Sequence, residues 1–130
     1  MNDETITTEF LEELPKTDLH VHLDGSLRIE TVIELAKENG VDLPSHTAEG
    51  LRELVFKPTY TSLIDYLNGF VYTCAVLQTA EALDRAAYEL AWDNINEGVR
   101  YIEVRFAPHL HMHDGLDFDS EIKILKVIQT

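Results

Sequence analysis

His20 and His22 stand two positions apart in the run Thr17-Asp18-Leu19-His20-Val21-His22-Leu23-Asp24-Gly25-Ser26. Alternate residues of a β-strand share a face, so a strand here sets both imidazoles on one side and Leu19 and Val21 on the other. Two imidazoles on one face at the end of a strand can supply part of a metal site. A lone His-x-His also arises by chance in soluble chains. Asp24, taken by itself, reads first as a turn former whose carboxylate bonds its own backbone.

The elements that must position these residues follow in order. Residues 1–13 are an acidic lead-in with a short helical turn near Phe10 and Leu11. Pro15 closes it, and Thr17 to His22 is the first strand. Asp24-Gly25 marks a tight turn, with Gly25 expected to take a backbone conformation that other residues resist. Ile29, Val32, Ile33 and Ala36 then fall on one helical face that ends at Asn39-Gly40. A short helix is expected around Ala48–Val55, with Leu51, Leu54 and Val55 on one face. A longer one is expected from Ser62 to Leu77, capped by Thr61, with Leu63, Tyr66, Leu67, Phe70, Val71, Cys74 and Leu77 as its apolar face. Another begins after Thr79, with Leu83, Ala86, Ala87, Leu90 and Ala91 as a small-residue stripe and Gly98 as its stop. Arg100 to Ala107 is a second strand: Ile102, Val104 and Phe106 face one way, and Tyr101, Glu103, Arg105 and Ala107 the other. Pro108 ends it, and a last helix is expected from about Asp119, carrying Ile122, Leu125 and Val127 or Ile128. Strands alternating with helices indicate a parallel α/β fold. Two such strands cannot bury both faces and both edges, so residues 14–130 read as the opening portion of a larger fold.

With 130 residues, 45% hydrophobic and 26% charged, the chain has the composition of an ordinary globular protein. A formal net charge of -14 disfavours nucleic acid and anionic membrane surfaces as partners, while a neutral small molecule is compatible with it. No apolar run approaches the roughly 18 residues of a membrane span. The acidic start lacks the basic and apolar regions of a signal peptide, so a cytoplasmic location is expected. Cys74 is the only cysteine, which excludes an internal disulfide and any Cys-rich zinc module and leaves buried packing as its expected role.

Three stretches, in order, carry a family resemblance. Leu14-Pro15-Lys16-Thr17-Asp18-Leu19-His20-Val21-His22-Leu23-Asp24-Gly25-Ser26-Leu27 resembles the N-terminal signature of the adenosine deaminase family. Tyr60-Thr61-Ser62-Leu63-Ile64-Asp65-Tyr66-Leu67-Asn68-Gly69-Phe70 is similar to the family's helix over the substrate pocket. Glu97-Gly98-Val99-Arg100-Tyr101-Ile102-Glu103-Val104-Arg105-Phe106-Ala107-Pro108-His109-Leu110 is similar to its second barrel strand. The resemblance implies the N-terminal part of a TIM barrel of the amidohydrolase superfamily, about two of its eight strands, with one zinc ion at the C-terminal ends of the strands. It implies hydrolytic deamination of adenosine and 2'-deoxyadenosine to inosine and 2'-deoxyinosine, with release of ammonia, in purine salvage. His20 and His22 would be zinc ligands, Asp24 would bind the ribose 5'-hydroxyl, and His22 would also border the substrate. Neutral imidazoles leave zinc a stronger Lewis acid than thiolates would. The family's catalytic glutamate, its further histidines and its aspartate come from later strands, so no catalytic residue is expected within residues 1–130.

By the same resemblance Leu63, Tyr66, Leu67 and Phe70 would partly close over the purine, and Ala107 would line the pocket. Core packing is an equal expectation for each residue of that helix face. Glu103 and Arg105 are expected to pair inside the barrel. Asp18 sits nearer the strand's N-terminal end, away from the metal. His109, His111 and His113 follow Pro108 in a loop and are expected to be solvated, forming no second metal site. The cytidine-deaminase type is excluded, since neither His-x-Glu nor Pro-Cys-x-x-Cys occurs. Two alternatives stand beside the first reading: an adenine or other aminopurine deaminase, and a truncated chain with no catalysis of its own.

Overall fold

The computed structural model describes residues 6–115. The helix expected from Asp119 lies outside the described residues. The elements are α1 (Thr8–Glu13), β1 (Lys16–His22), α2 (Ile29–Asn39), α3 (Ala48–Leu54), α4 (Leu63–Leu67), α5 (Phe70–Val76), α6 (Ala80–Asn96) and β2 (Val99–Arg105). Short 3-10 turns follow the two strands, at Leu23–Gly25 and Pro108–His111. The fold is α/β, its two parallel strands and intervening helices arranged as in the N-terminal portion of a (β/α) barrel.

β1 and β2 pair in parallel, with Lys16 opposite Val99, Asp18 opposite Ile102, Val21 opposite Val104 and His22 opposite Arg105. Both 3-10 turns therefore leave the sheet at its C-terminal edge, where strand-to-loop connections of such sheets gather functional groups. The ladder's register shifts between Asp18 and Val21. Strict alternation does not carry through β1: Val21 packs on the core, whereas Leu19 is exposed. The second strand behaves as expected, with Ile102, Val104 and Phe106 against the core. Glu103 and Arg105 pair as expected, though not in an enclosed setting among the described residues. Their closest approach is 3.8 Å with both side chains about half exposed, and the Tyr101 hydroxyl also donates to Glu103 at 2.9 Å.

The core is built by α2, α3, α5 and α6 around Leu23, Val32, Leu35, Leu51, Val76, Leu77, Leu83, Ala86 and Leu90. Ala86 and Ala87 let α6 approach closely, and polar ties lock its far side to α2. Arg85 donates to Glu34 (2.6 Å) and Glu89 (2.9 Å), the Thr31 hydroxyl donates to Glu89 (2.6 Å), and Arg28 grips Asp93 through two nitrogens. Thr79 caps α6 by accepting from the Ala82 N–H. Gly98 then turns the chain into β2 with φ +81, a conformation glycine adopts freely. A Cβ there would also crowd the Lys16 ammonium and the Glu12 carbonyl. That ammonium is a staple, donating to the carbonyls of Glu12, Leu14 and Glu97 at 3.3, 3.1 and 2.8 Å.

The single helix expected from Ser62 to Leu77 is two helices, α4 and α5, broken at Asn68-Gly69. Its cap is Ser62 rather than Thr61: the Ser62 hydroxyl accepts from the Asp65 N–H, and the Asp65 carboxylate accepts from the Thr61 N–H. That amide, helped by Lys57, holds the Asp65 carboxyl below its usual range. The break changes which face is covered. Gly69, Thr73, Val76 and Leu77 are buried, whereas Leu63, Leu67 and Val71 are exposed, so the expected apolar face is not a core face. No helix among the described residues is long and apolar enough to cross a membrane.

Candidate metal and substrate centre

The end of β1 brings His20 and His22 together. Their Nε2 atoms lie 3.3 Å apart and both side chains are open to solvent. Two nitrogens each about 2.0–2.1 Å from a tetrahedral zinc would stand roughly 3.3 Å apart, so the pair fits two corners of such a site. The Ser26 hydroxyl donates to the His22 carbonyl at 2.6 Å and fixes the exit from the strand.

Asp24 follows in the 3-10 turn, and its side chain is only 5% exposed. It stands between two imidazoles. His22 Nδ1 is 3.8 Å from one carboxylate oxygen and His111 Nε2 is 3.8 Å from the other. Gly25 corrects the sequence expectation, since its backbone is not left-handed. A close approach requires the glycine instead: a Cβ would meet the Phe70 ring at 3.0 Å. Phe70 in turn sets its edge against His22, with ring centroids 6.4 Å apart, and against Tyr66 at 5.8 Å. A cavity of about 70 Å³ lies beneath these rings, with Tyr60, Tyr66, Phe70 and Gly25 on its walls. That is well below the roughly 300 Å³ at which small-molecule sites begin, so these elements form one wall of a pocket and do not enclose it.

Of the expected lining residues, Phe70 and Tyr66 reach this wall. Leu63 and Leu67, on the same short helix as Tyr66, are exposed and lie outside its lining. Ala107 is half-buried where β2 runs into the Pro108 turn. A groove of about 470 Å³ between Leu54, Lys57, Asp65 and Tyr72 holds none of the expected site residues.

Sequence reasoning missed His111. It is fully buried, not solvated, with Nδ1 3.0 Å from the Leu77 carbonyl and its ring beside Phe106. Its neighbour His109 is exposed, as expected. The difference comes from Pro108, which starts a 3-10 turn, and from Gln78, whose side chain holds that turn in place. Gln78 Nε2 donates to the Cys74 and Leu110 carbonyls at 2.7 and 2.8 Å, and its Oε1 accepts from the His113 N–H at 2.9 Å. No local pattern announces a contact 35 residues away. Asp24, Cys74 and His111 bring their ligating atoms within 4.8 Å of one another. Burial, then the Asp24 charge, push the Cys74 thiol up to about 11, so it is a protonated thiol near neutrality and a poor metal ligand.

A family model described as adenosine deaminase matches residues 15–129. An adenosine deaminase of Clostridium perfringens is 52% identical over 107 residues, which cover 82% of this chain and 32% of that protein. A probable adenosine deaminase of Dictyostelium discoideum is 47% identical over 120 residues, covering 92% of this chain and 16% of that one. Among solved structures, an adenine deaminase of Arthrobacter aurescens superposes with a TM-score of 0.75 at 28% identity, over 88% of this chain and 34% of that one. The chain thus spans about a third of the bacterial relatives, and less of the Dictyostelium protein.

Proposed function

Because the chain belongs to the adenosine deaminase family, we propose that residues 14–130 are the opening portion of a zinc-dependent barrel that deaminates adenosine and 2'-deoxyadenosine. The products are inosine or 2'-deoxyinosine and ammonia, and the setting is purine salvage in the cytoplasm. The observation that carries this reading is the convergence of two imidazole nitrogens beside a buried carboxylate at the C-terminal edge of a parallel sheet. His20 and His22 would hold the zinc. When bound, the ion supplies a Lewis acid that makes water nucleophilic near neutral pH.

The chain's own residues do the rest of what these elements can do. The Asp24 carboxylate accepts the ribose 5'-hydroxyl through Oδ1, the buried oxygen on the His22 side that has no partner among the described residues. Its burial makes an unmatched ligand costly, since a buried acceptor without a donor loses roughly 1–3 kcal/mol. Phe70 and Tyr66 offer an aromatic wall to the purine and keep water from that side. His22 borders both metal and nucleoside. Catalytic zinc sites take three protein ligands, and two histidines are too few, so the isolated 130 residues retain zinc weakly and release no ammonia.

An adenine-specific enzyme is the second reading, favoured by the Arthrobacter structure. The test compares adenosine, 2'-deoxyadenosine and adenine as substrates of the complete barrel carrying this chain, with zinc content measured in parallel. Adenosine is expected to be preferred, chelation to abolish turnover, and zinc to restore it. His22→Ala is expected to lose more than about 100-fold in kcat, the upper end for loss of a mere outer-shell partner. Exclusive use of adenine, or full turnover by metal-free protein, overturns the reading.

A further inference from the structure

We propose that His111 is a positioning residue that holds the Asp24 carboxylate from its interior side, so that Asp24 presents a fixed acceptor to the ribose 5'-hydroxyl. This rests on the reading of Asp24 as the hydroxyl acceptor. The Leu77 carbonyl can only accept, so His111 Nδ1, 3.0 Å away, carries its hydrogen and the ring's orientation is settled. That orientation turns Nε2 toward Asp24, 3.8 Å from the nearer oxygen. His111 Nε2 and Asp24 Oδ1 are the two buried side-chain atoms without a hydrogen-bond partner among the described residues.

Native interiors rarely leave such atoms unmatched. Oδ1 is the oxygen on the His22 side, placed to take the ribose hydroxyl, and Nε2 faces the other oxygen, Oδ2. The gap is too long for a direct hydrogen bond. With Nδ1 carrying the hydrogen, Nε2 of the neutral ring accepts, as the carboxylate does, so the gap suits a bridging water that donates one hydrogen to each. A histidine serving only as packing would not need the anchoring this one has. Gln78, itself buried, ties the loop on either side of His111 to α5 through three hydrogen bonds. Phe106 covers the ring at a centroid distance of 5.7 Å. With the ring immobile, Asp24 has one backed side, and its other side faces the open His22.

The test uses the complete barrel carrying this chain, with adenosine and 5'-deoxyadenosine as substrates and His111→Leu, His111→Gln and Asp24→Asn as variants. His111→Leu is expected to lower kcat/KM for adenosine about 10-fold or more, as loss of an orienting partner does, and to leave 5'-deoxyadenosine unchanged. His111→Gln, whose amide can still hydrogen-bond the bridging water, is expected to recover part of the loss. Equal falls for both substrates would show that His111 only supports the fold and would overturn the proposal, as would an unchanged preference in His111→Leu. A parent enzyme that treats the two substrates alike, matched by an unaltered preference in Asp24→Asn, overturns the reading of Asp24 itself. The two failures are thereby distinguishable.

Discussion

Cys74 reports on the site without taking part in it. Desolvation raises its thiol to about 11, and the negative charge of Asp24 adds to that. As the only cysteine, it can be followed by alkylation. Below its raised pKa little thiolate exists, so reaction with iodoacetamide at pH 8 is expected to be slow and to accelerate as pH approaches 11. Asp24→Asn removes the charge that opposes thiolate formation. The pKa of Cys74 is expected to fall, though less than half-way to the usual thiol value, since burial is the larger cause. A pH profile of the alkylation rate checks this; an unchanged profile would mean that Asp24 carries no charge beside the thiol. At this scale the sequence was legible where neighbours decide the outcome. His20 and His22 converge because a strand repeats every second residue. His111 was hidden because its burial depends on Gln78 and Leu77, which are distant in the chain.

Among the elements, α6 follows the sequence most closely. The sequence reading starts it after Thr79 and stops it at Gly98, as the structure does, and Leu83, Ala86, Ala87 and Leu90 are all buried. Thr79→Ala removes the acceptor for the Ala82 N–H and is expected to cost about 1 kcal/mol, read from the midpoint of a urea titration. A loss of only a few tenths would mean that the N–H finds another acceptor. The region from Ser62 to Leu77 was less legible. Apolar spacing continues across Asn68 and Gly69, so periodicity joined α4 to α5. The buried sides of Gly69 and Phe70 meet Val55, Phe56 and Gly25, and that packing, not propensity, decides where the helix breaks. Thr61 and Ser62 are both good caps. Only the reach of Asp65 back to the Thr61 N–H shows which one starts the helix.

For the molecule as a whole, the alternation of strands and helices sufficed to indicate a parallel α/β fold, and the pairing of β1 with β2 agrees. The Lys16 staple joins residues 81 positions apart, and the ladder beside it spans a comparable length of chain. Closing so long a loop costs entropy before any ladder hydrogen bond forms, whereas each helix from α2 to α6 gains hydrogen bonds within its own few turns. Time is thus expected to enter the fold through its sheet, with the helices forming first and the strand bearing His20 and His22 docking last. Pulse-labelled hydrogen exchange during refolding is expected to show protection of the α6 amides before that of Val21 and Val104. Simultaneous protection would mean that the ladder belongs to the nucleus. On this order the two imidazoles, only two positions apart in β1, meet Asp24 and the rest of the site when their strand docks on the finished helices.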